Sequence, residues 1–418
     1  MIFSNQYDAI VIGAGIGGLT CGTLLAKNGL KVLIIEKNHN PGGCITAVKR
    51  NNFVFDMGAH LIGSCNDTGI LGKILRELEI GVKFIRLNPS DRFHFRGEVI
   101  EVPQSLEEYI KKLKRMFTDE SSNIDKFFEE VIRIFRNFSK YEIVEKYGSF
   151  TYLQFLDHYF KNNKLKGILS AQSLYIGVPP SKASLLSMVL MLVSYLRDGV
   201  FYPINGTQSL PDKMLGRFNE LSGDFLCNTK VVKIIISGDK ACGVITESGI
   251  TYFSKIIISN IDAKITLLDL VDNKNLSIKF INRLKRMKNS ISCFILYLGL
   301  KNIMAKHINK ISGWYHDSFD IDKCYMKSFY IFVPTLCAKS LASKNAHIID
   351  LLMPFPYKSE AYQYWDNKKW KEVKLRLAKK AISILEKVMQ HKLRDNICYS
   401  DAATPRTIER FTANSTGS

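Results

Sequence analysis

The chain lacks the paired cysteines and clustered histidines around which small or metal-built proteins are organised. Its nine cysteines are scattered, with no Cys-x-x-Cys pair, and read as reduced thiols at small core positions. No two of its eight histidines stand at metal-ligand spacing, so no metal site is expected. A long apolar run is also missing. The most hydrophobic stretch, 183–196, is shorter than the roughly 20 residues a bilayer span needs. The first apolar run, 9–12, breaks into glycines too soon for a signal-peptide core, so no secretory leader is expected. Acidic residues are scarce: 39 Asp+Glu against 58 Lys+Arg leave a net charge of +19. That balance favours anionic partners. Nucleic acid is not expected, because no recognition motif accompanies the charge and the aromatics lie inside apolar patterns. A length of 418 residues implies two or three domains.

What is present begins at the N-terminus. Residues 7–12 form an apolar run typical of a buried parallel strand, and 31–35 (KVLII) form a second. Between them Gly13-Ala14-Gly15-Ile16-Gly17-Gly18 opens a helix predicted over 17–28. Gly13 permits the tight turn, Gly15 leaves room for a pyrophosphate, and the helix start supplies free N–H groups. Glu36 closes the second strand, where a carboxylate accepts both ribose hydroxyls of an adenosine and repels a 2′-phosphate. FAD and NAD share this fingerprint. A second glycine cluster, Asn40-Pro41-Gly42-Gly43-Cys44 and Phe53-Val54-Phe55-Asp56-Met57-Gly58-Ala59-His60, favours the longer cofactor, FAD.

Farther on, helical spacing dominates 67–196, broken by a hairpin over 92–102 that turns at Gly97. Amphipathic helices are predicted over 105–117, 122–138 and 151–160. Strands return over 225–259, 292–300 and 347–353, and a long helix over 367–391. The fold class is mixed α/β, a Rossmann-like domain interleaved with a substrate domain of sheet plus helices. We assign 1–66 and 200–275 to the first, 67–199 and 276–400 to the second, and 401–418 to a return towards the first. The apolar stretch 183–196 reads either as a buried helix or as the lining of a lipid tunnel or a leaflet-dipping segment. The basic clusters at 111–115, 283–288 and 368–371 read as solvated helix faces or as contacts for anionic lipid.

Taken together these motifs resemble the FAD-dependent phytoene desaturase and carotenoid cis–trans isomerase family, within the amine-oxidase-like flavoproteins. The resemblance rests on the glycine turn and on PGG followed by FDMGAH. It rests also on Tyr202-Pro203-Ile204-Asn205-Gly206, Asn228-Thr229-Lys230-Val231, Ile258-Ser259-Asn260 and the segment from Thr404 to Thr412.

The resemblance implies an FAD oxidoreductase acting on a long isoprenoid or polyene, by desaturation or isomerisation, in the cytoplasm and peripherally on a membrane. It implies that Gly13, Gly15, Gly17 and Gly18 cradle the FAD pyrophosphate, and that Glu36 holds the adenosine ribose with Lys37 beside it. Gly42 and Gly43 would pass the ribityl and phosphate region, Gly58, Ala59 and His60 would approach the isoalloxazine, and Val231 would face the adenine. No catalytic residue is assigned. Three departures stand out: Cys44 replaces a usual basic residue, Asn205 replaces a glycine, and the family's last FAD-binding stretch does not occur before Ser418. A second chain completing the FAD site is one expectation from that. An FAD amine oxidase and a non-catalytic prenyl- or lipid-binding escort protein on the same fold are the alternatives.

Overall fold

The apolar run 9–12, at the end of strand Gln6–Ile12, and the run Val32–Ile35 are buried at every position, so both strands must lie inside a covered sheet. In the computed structural model, which describes residues 5–272, 274, 276–355 and 367–417, they form the middle of six strands. Asp224–Leu226, Val32–Ile35, Gln6–Ile12 and Thr251–Ser259 run parallel, followed by the antiparallel Lys240–Thr246 and Val231–Ser237. Helix Ile16–Lys27 covers one face together with Ser209–Glu220. There Leu19, Ile34, Met214 and Phe218 are fully buried. Val231, Ile234, Val244 and Leu270 cover the other face.

A second sheet has seven strands. Ser292–Lys301 lies between Ile397–Ala403 and Ala346–Phe355, followed by Phe329–Phe332, Gly313–His316 and the hairpin Asp91–Phe95/Glu98–Val102. One face meets the largest core, to which helices Leu106–Met116, Ser121–Arg136 and Leu185–Leu196 contribute. The last of these buries Leu185, Met188, Val189, Leu192, Val193 and Leu196. It is therefore packed as a core helix, the first of the readings the sequence allowed. Truncating one such leucine to alanine costs about 2–5 kcal/mol. Helix Asn367–Met389 covers the opposite face with Ala381, Leu385 and Met389. No helix among the described residues is long and apolar enough to cross a membrane.

Several strands escaped the sequence reading for a common reason. Gly313–His316 and Phe329–Phe332 are four residues each, and Ile397–Ala403 (ICYSDAA) shows no clean alternation. The glycine-rich segment after Asn40 holds a hairpin, Ala47–Arg50 with Phe53–Asp56. Val200–Pro203 is a strand. It bridges Ile62–Gly63 and Phe84–Arg86 before Gly206, at φ 84°, turns the chain into the helix Ser209–Glu220. Asn205 keeps a negative φ, so its replacement of a glycine costs the turn nothing.

Candidate functional site

The strands Gln6–Ile12 and Thr251–Ser259 end level, with Ile12 opposite Ser259. Beyond their carboxyl ends opens a cavity of about 1450 Å³, larger than the ~300–1,000 Å³ of ordinary small-molecule pockets. Sheets of this kind hold ligands at this end.

The glycine turn forms one wall. Gly13 has φ 96°, and a Cβ on it would stand 2.8 Å from Ile261. Gly15 caps helix Ile16–Lys27 without a side-chain bond, leaving first-turn N–H groups without intrahelical partners. Gly43, at φ 58°, lies against Gly15, where a Cβ would come within 3.2 Å of the Gly15 Cα. Gly42 N–H donates to the Ala14 carbonyl at 2.8 Å, so the second glycine cluster is laid along the first. Gly17 and Gly18 do not line the cavity: a Cβ on Gly18 would sit 2.0 Å from the Gly13 carbonyl oxygen, and one on Gly17 would meet Asn260. Their smallness closes the turn.

Glu36 is 7% exposed and faces the cavity, with no ion pair to it among the described residues. Its Oε2 accepts the Ala14 N–H at 2.9 Å and its Oε1 the Asn38 N–H at 2.8 Å. Each carboxylate oxygen retains a further lone pair for a ligand hydroxyl. The Glu36 carbonyl accepts the Thr229 N–H at 2.9 Å, which brings Val231 to the same wall.

The far rim is the C-terminal segment. Thr404 caps helix Pro405–Thr412, and residues 411–416 then line the cavity. Lys37 Nζ donates to the Arg410 carbonyl at 2.8 Å, and Asn38 Nδ2 to that of Phe411 at 3.0 Å. Opposite, Asp262 Oδ2 accepts the Ser415 N–H at 2.8 Å. Burial pushes the Asp262 carboxyl up, but backbone donors from Ser415, Ile265 and Lys264 outweigh it and hold it below the usual range. Lys37 thus spends its ammonium on this segment, while burial draws its pKa down.

Ala59 reaches the cavity; Gly58 and His60 do not. A Cβ on Gly58 would lie 2.5 Å from the Cys44 carbonyl oxygen, which accepts the Ala59 N–H at 2.9 Å. His60 points into the interior, 5% exposed, with Nε2 3.1 Å from Asp350 Oδ2 and its ring 5.2 Å from that of Phe332. Behind it Asp56 accepts Tyr202 O–H and, at 2.5 Å, Thr207 O–H. FDMGAH and the Tyr202–Gly206 turn are therefore one construction, joined at Asp56.

A family model described as flavin containing amine oxidoreductase matches residues 16–289. The chain belongs to that family. This flavoprotein is 25% identical over 445 residues to prolycopene isomerase 1 of an Oncidium hybrid cultivar, covering 99% of this chain and 75% of that one. It is 26% identical to a 4,4'-diapophytoene desaturase of Staphylococcus aureus, covering 83% and 75%. A solved structure from Pyrococcus furiosus matches with TM-score 0.67 at 19% identity, over 95% of this chain and 88% of that one. The cofactor of this chain is FAD, and the cavity walls fit one. Gly13, Gly15, Gly42 and Gly43 leave room for phosphates, Glu36 offers acceptors to a ribose, and Val231 and Ala59 stand at separate stretches of the wall.

The sequence reading missed Asn260 as a working part of this flavoprotein's site. Its Oδ1 accepts the Gly18 N–H at 2.9 Å, and its own N–H donates to the Ile12 carbonyl at 2.8 Å. The signal was its position: it follows a strand parallel to Gln6–Ile12, where the next residue must enter the cavity wall. The return of 401–418 towards the first domain was expected, and Glu409 with residues 411–416 lines the cavity, although no residue there was assigned as a site residue.

Proposed function

We propose that this flavoprotein acts on a long polyene of the carotenoid type, isomerising or desaturating one of its bonds. The observation that carries the reading is the prolycopene isomerase relative, aligned with 99% of the chain. The interior beyond Ala59 supports it. Tyr202 and Phe332 pack at 5.4 Å and Tyr297 donates to the Met57 carbonyl at 3.0 Å, while Asp56 and Asp350 are engaged by hydroxyls and by His60. These contacts tie up the polar groups of the interior behind Ala59, which suits a site for a hydrocarbon.

When bound, FAD supplies hydride and electron transfer. The chain's own part is to hold it and to keep charge away from the substrate. His60 Nε2 and Asp350 Oδ2 are hydrogen-bonded at 3.1 Å in this buried region, with the histidine held above its usual range: burial pushes it down, and the Asp350 bond and charge outweigh that. Association with an anionic membrane belongs to the same reading, because a polyene is delivered from a lipid phase.

The test is incubation of the FAD-loaded protein with a poly-cis carotenoid, followed by chromatography. An all-trans product from reduced flavin, or added conjugation with an electron acceptor, supports the reading. No change in the carotenoid, with peroxide released from a primary amine, overturns it.

A further inference from the structure

Residues 278–288 read IKFINRLKRMK, with five Lys or Arg and no acid. Helix Ile278–Arg286 starts at Ser277, whose Oγ accepts the Phe280 N–H, and it buries only Leu284. Lys279, Arg283 and Arg286 recur at spacings of four and three, which puts them on one face. Among the described residues none of the five cations makes an ion pair. Beside them Ile278, Phe280 and Met287 are 77%, 39% and 53% exposed. Exposed apolar side chains beside unpaired cations are the composition of a helix that lies in a lipid interface.

The helix is fastened to the flavin cavity. Lys264 Nζ donates to the Met287 carbonyl at 2.7 Å and to Asn289 Oδ1 at 2.8 Å. Asn289 Nδ2 in turn donates to the Ser415 carbonyl and to Thr416 Oγ1, on the cavity rim. Leu276, just before the helix, packs into the core that contains Val231 and Leu270.

We propose that this helix docks the protein on an anionic bilayer, its cations against lipid headgroups and Ile278, Phe280 and Met287 in the interface. The inference rests on the membrane reading above and names its surface. Nucleic acid would meet the cations equally well but would gain nothing from three exposed apolar side chains.

The test is flotation of the full chain, FAD-loaded, with phosphatidylcholine vesicles with and without phosphatidylglycerol, at low and high salt. Binding should need the anionic lipid and fall about tenfold or more at high salt. Arg283→Glu with Arg286→Glu should lower it at least about tenfold, and Ile278→Ser with Phe280→Ser by a similar factor. These positions are exposed, and an unchanged circular dichroism spectrum checks their folding. Phe280→Trp should add fluorescence that brominated lipid quenches. If the wild type fails to float at low salt, or floats equally with phosphatidylcholine alone, the membrane reading and this one fall together. If both pairs float like the wild type, this helix alone is overturned. Vesicle-free binding to an oligonucleotide that the serine pair leaves intact also overturns it. None of these outcomes bears on the carotenoid assay.

Discussion

Two buried carboxylates show how differently this molecule houses negative charge. Glu36 is 7% exposed and Asp350 is 1% exposed. Glu36 receives backbone N–H groups on both oxygens, from residues fixed by the turn itself. Asp350 meets one histidine through Oδ2, and its Oδ1 is buried with no partner among the described residues. Burial pushes the Asp350 carboxyl up to about 6, against the pull of His60. A carboxylate set in main-chain donors is ready for a ligand, whereas one left half-satisfied is a proton holder.

The comparison breaks first at the turn. Gly18→Val drives a side chain into the Gly13 carbonyl, so the purified protein should hold less than about a tenth of its flavin absorbance and lose about 3 kcal/mol or more of stability. Glu36→Gln keeps the shape and removes the charge. Its FAD dissociation constant should rise about 10–100-fold, which is about 1.4–2.7 kcal/mol, by titration of flavin fluorescence. An unchanged constant would show that Glu36 serves only the turn.

Asp350→Asn should leave FAD affinity within about threefold and instead alter the pH dependence of unfolding. The folded pKa of Asp350 is raised, so the native state binds more protons than the unfolded chain between pH 3.8 and about 6. Stability from this group is present below that window and lost as pH rises through it. The raised His60 acts in the same direction above its ordinary 6.5. Melting temperatures from pH 4 to 7 should fall less steeply in the variant. The smallest effect at neutral pH belongs to a histidine without a carboxylate. Burial pushes His316 down to about 3, and its Nε2 has no partner among the described residues. Here the native state binds fewer protons, so stability is present above pH 6.5 and lost as pH falls towards 3. His316→Phe should change stability at pH 7 by less than about 1 kcal/mol, and at pH 4 should stabilise by about 2 kcal/mol in urea titrations.

The same contrast explains what could be read from the sequence. Gly13, Gly15 and Glu36 are legible because their geometry is local: a strand, a turn and a strand within thirty-six residues. Gly42, Gly43, Ala59 and Val231 were assigned through resemblance, and all four line the cavity. His60 was assigned on the same ground and faces Asp350, 290 residues away, a partner that no local pattern announces. Asn260 was named as part of a motif, but its contact with Gly18, 242 residues away, was equally hidden. Both sheets were legible where strands are long and apolar. They were lost where a four-residue strand relies on its neighbours.

The nucleotide sheet has a consequence for the chain as it is made. Its first strands end at Ile35, and their neighbours begin only at Asp224. At ~5–20 residues per second of synthesis, the ribosome needs roughly 10–40 s to deliver the missing edges. Throughout that interval Ile10, Val11, Leu33 and Ile34 have no complete sheet to close over them. The cavity is likewise incomplete until the rim at Phe411–Thr416 has been made, so its two walls come from opposite ends of the chain.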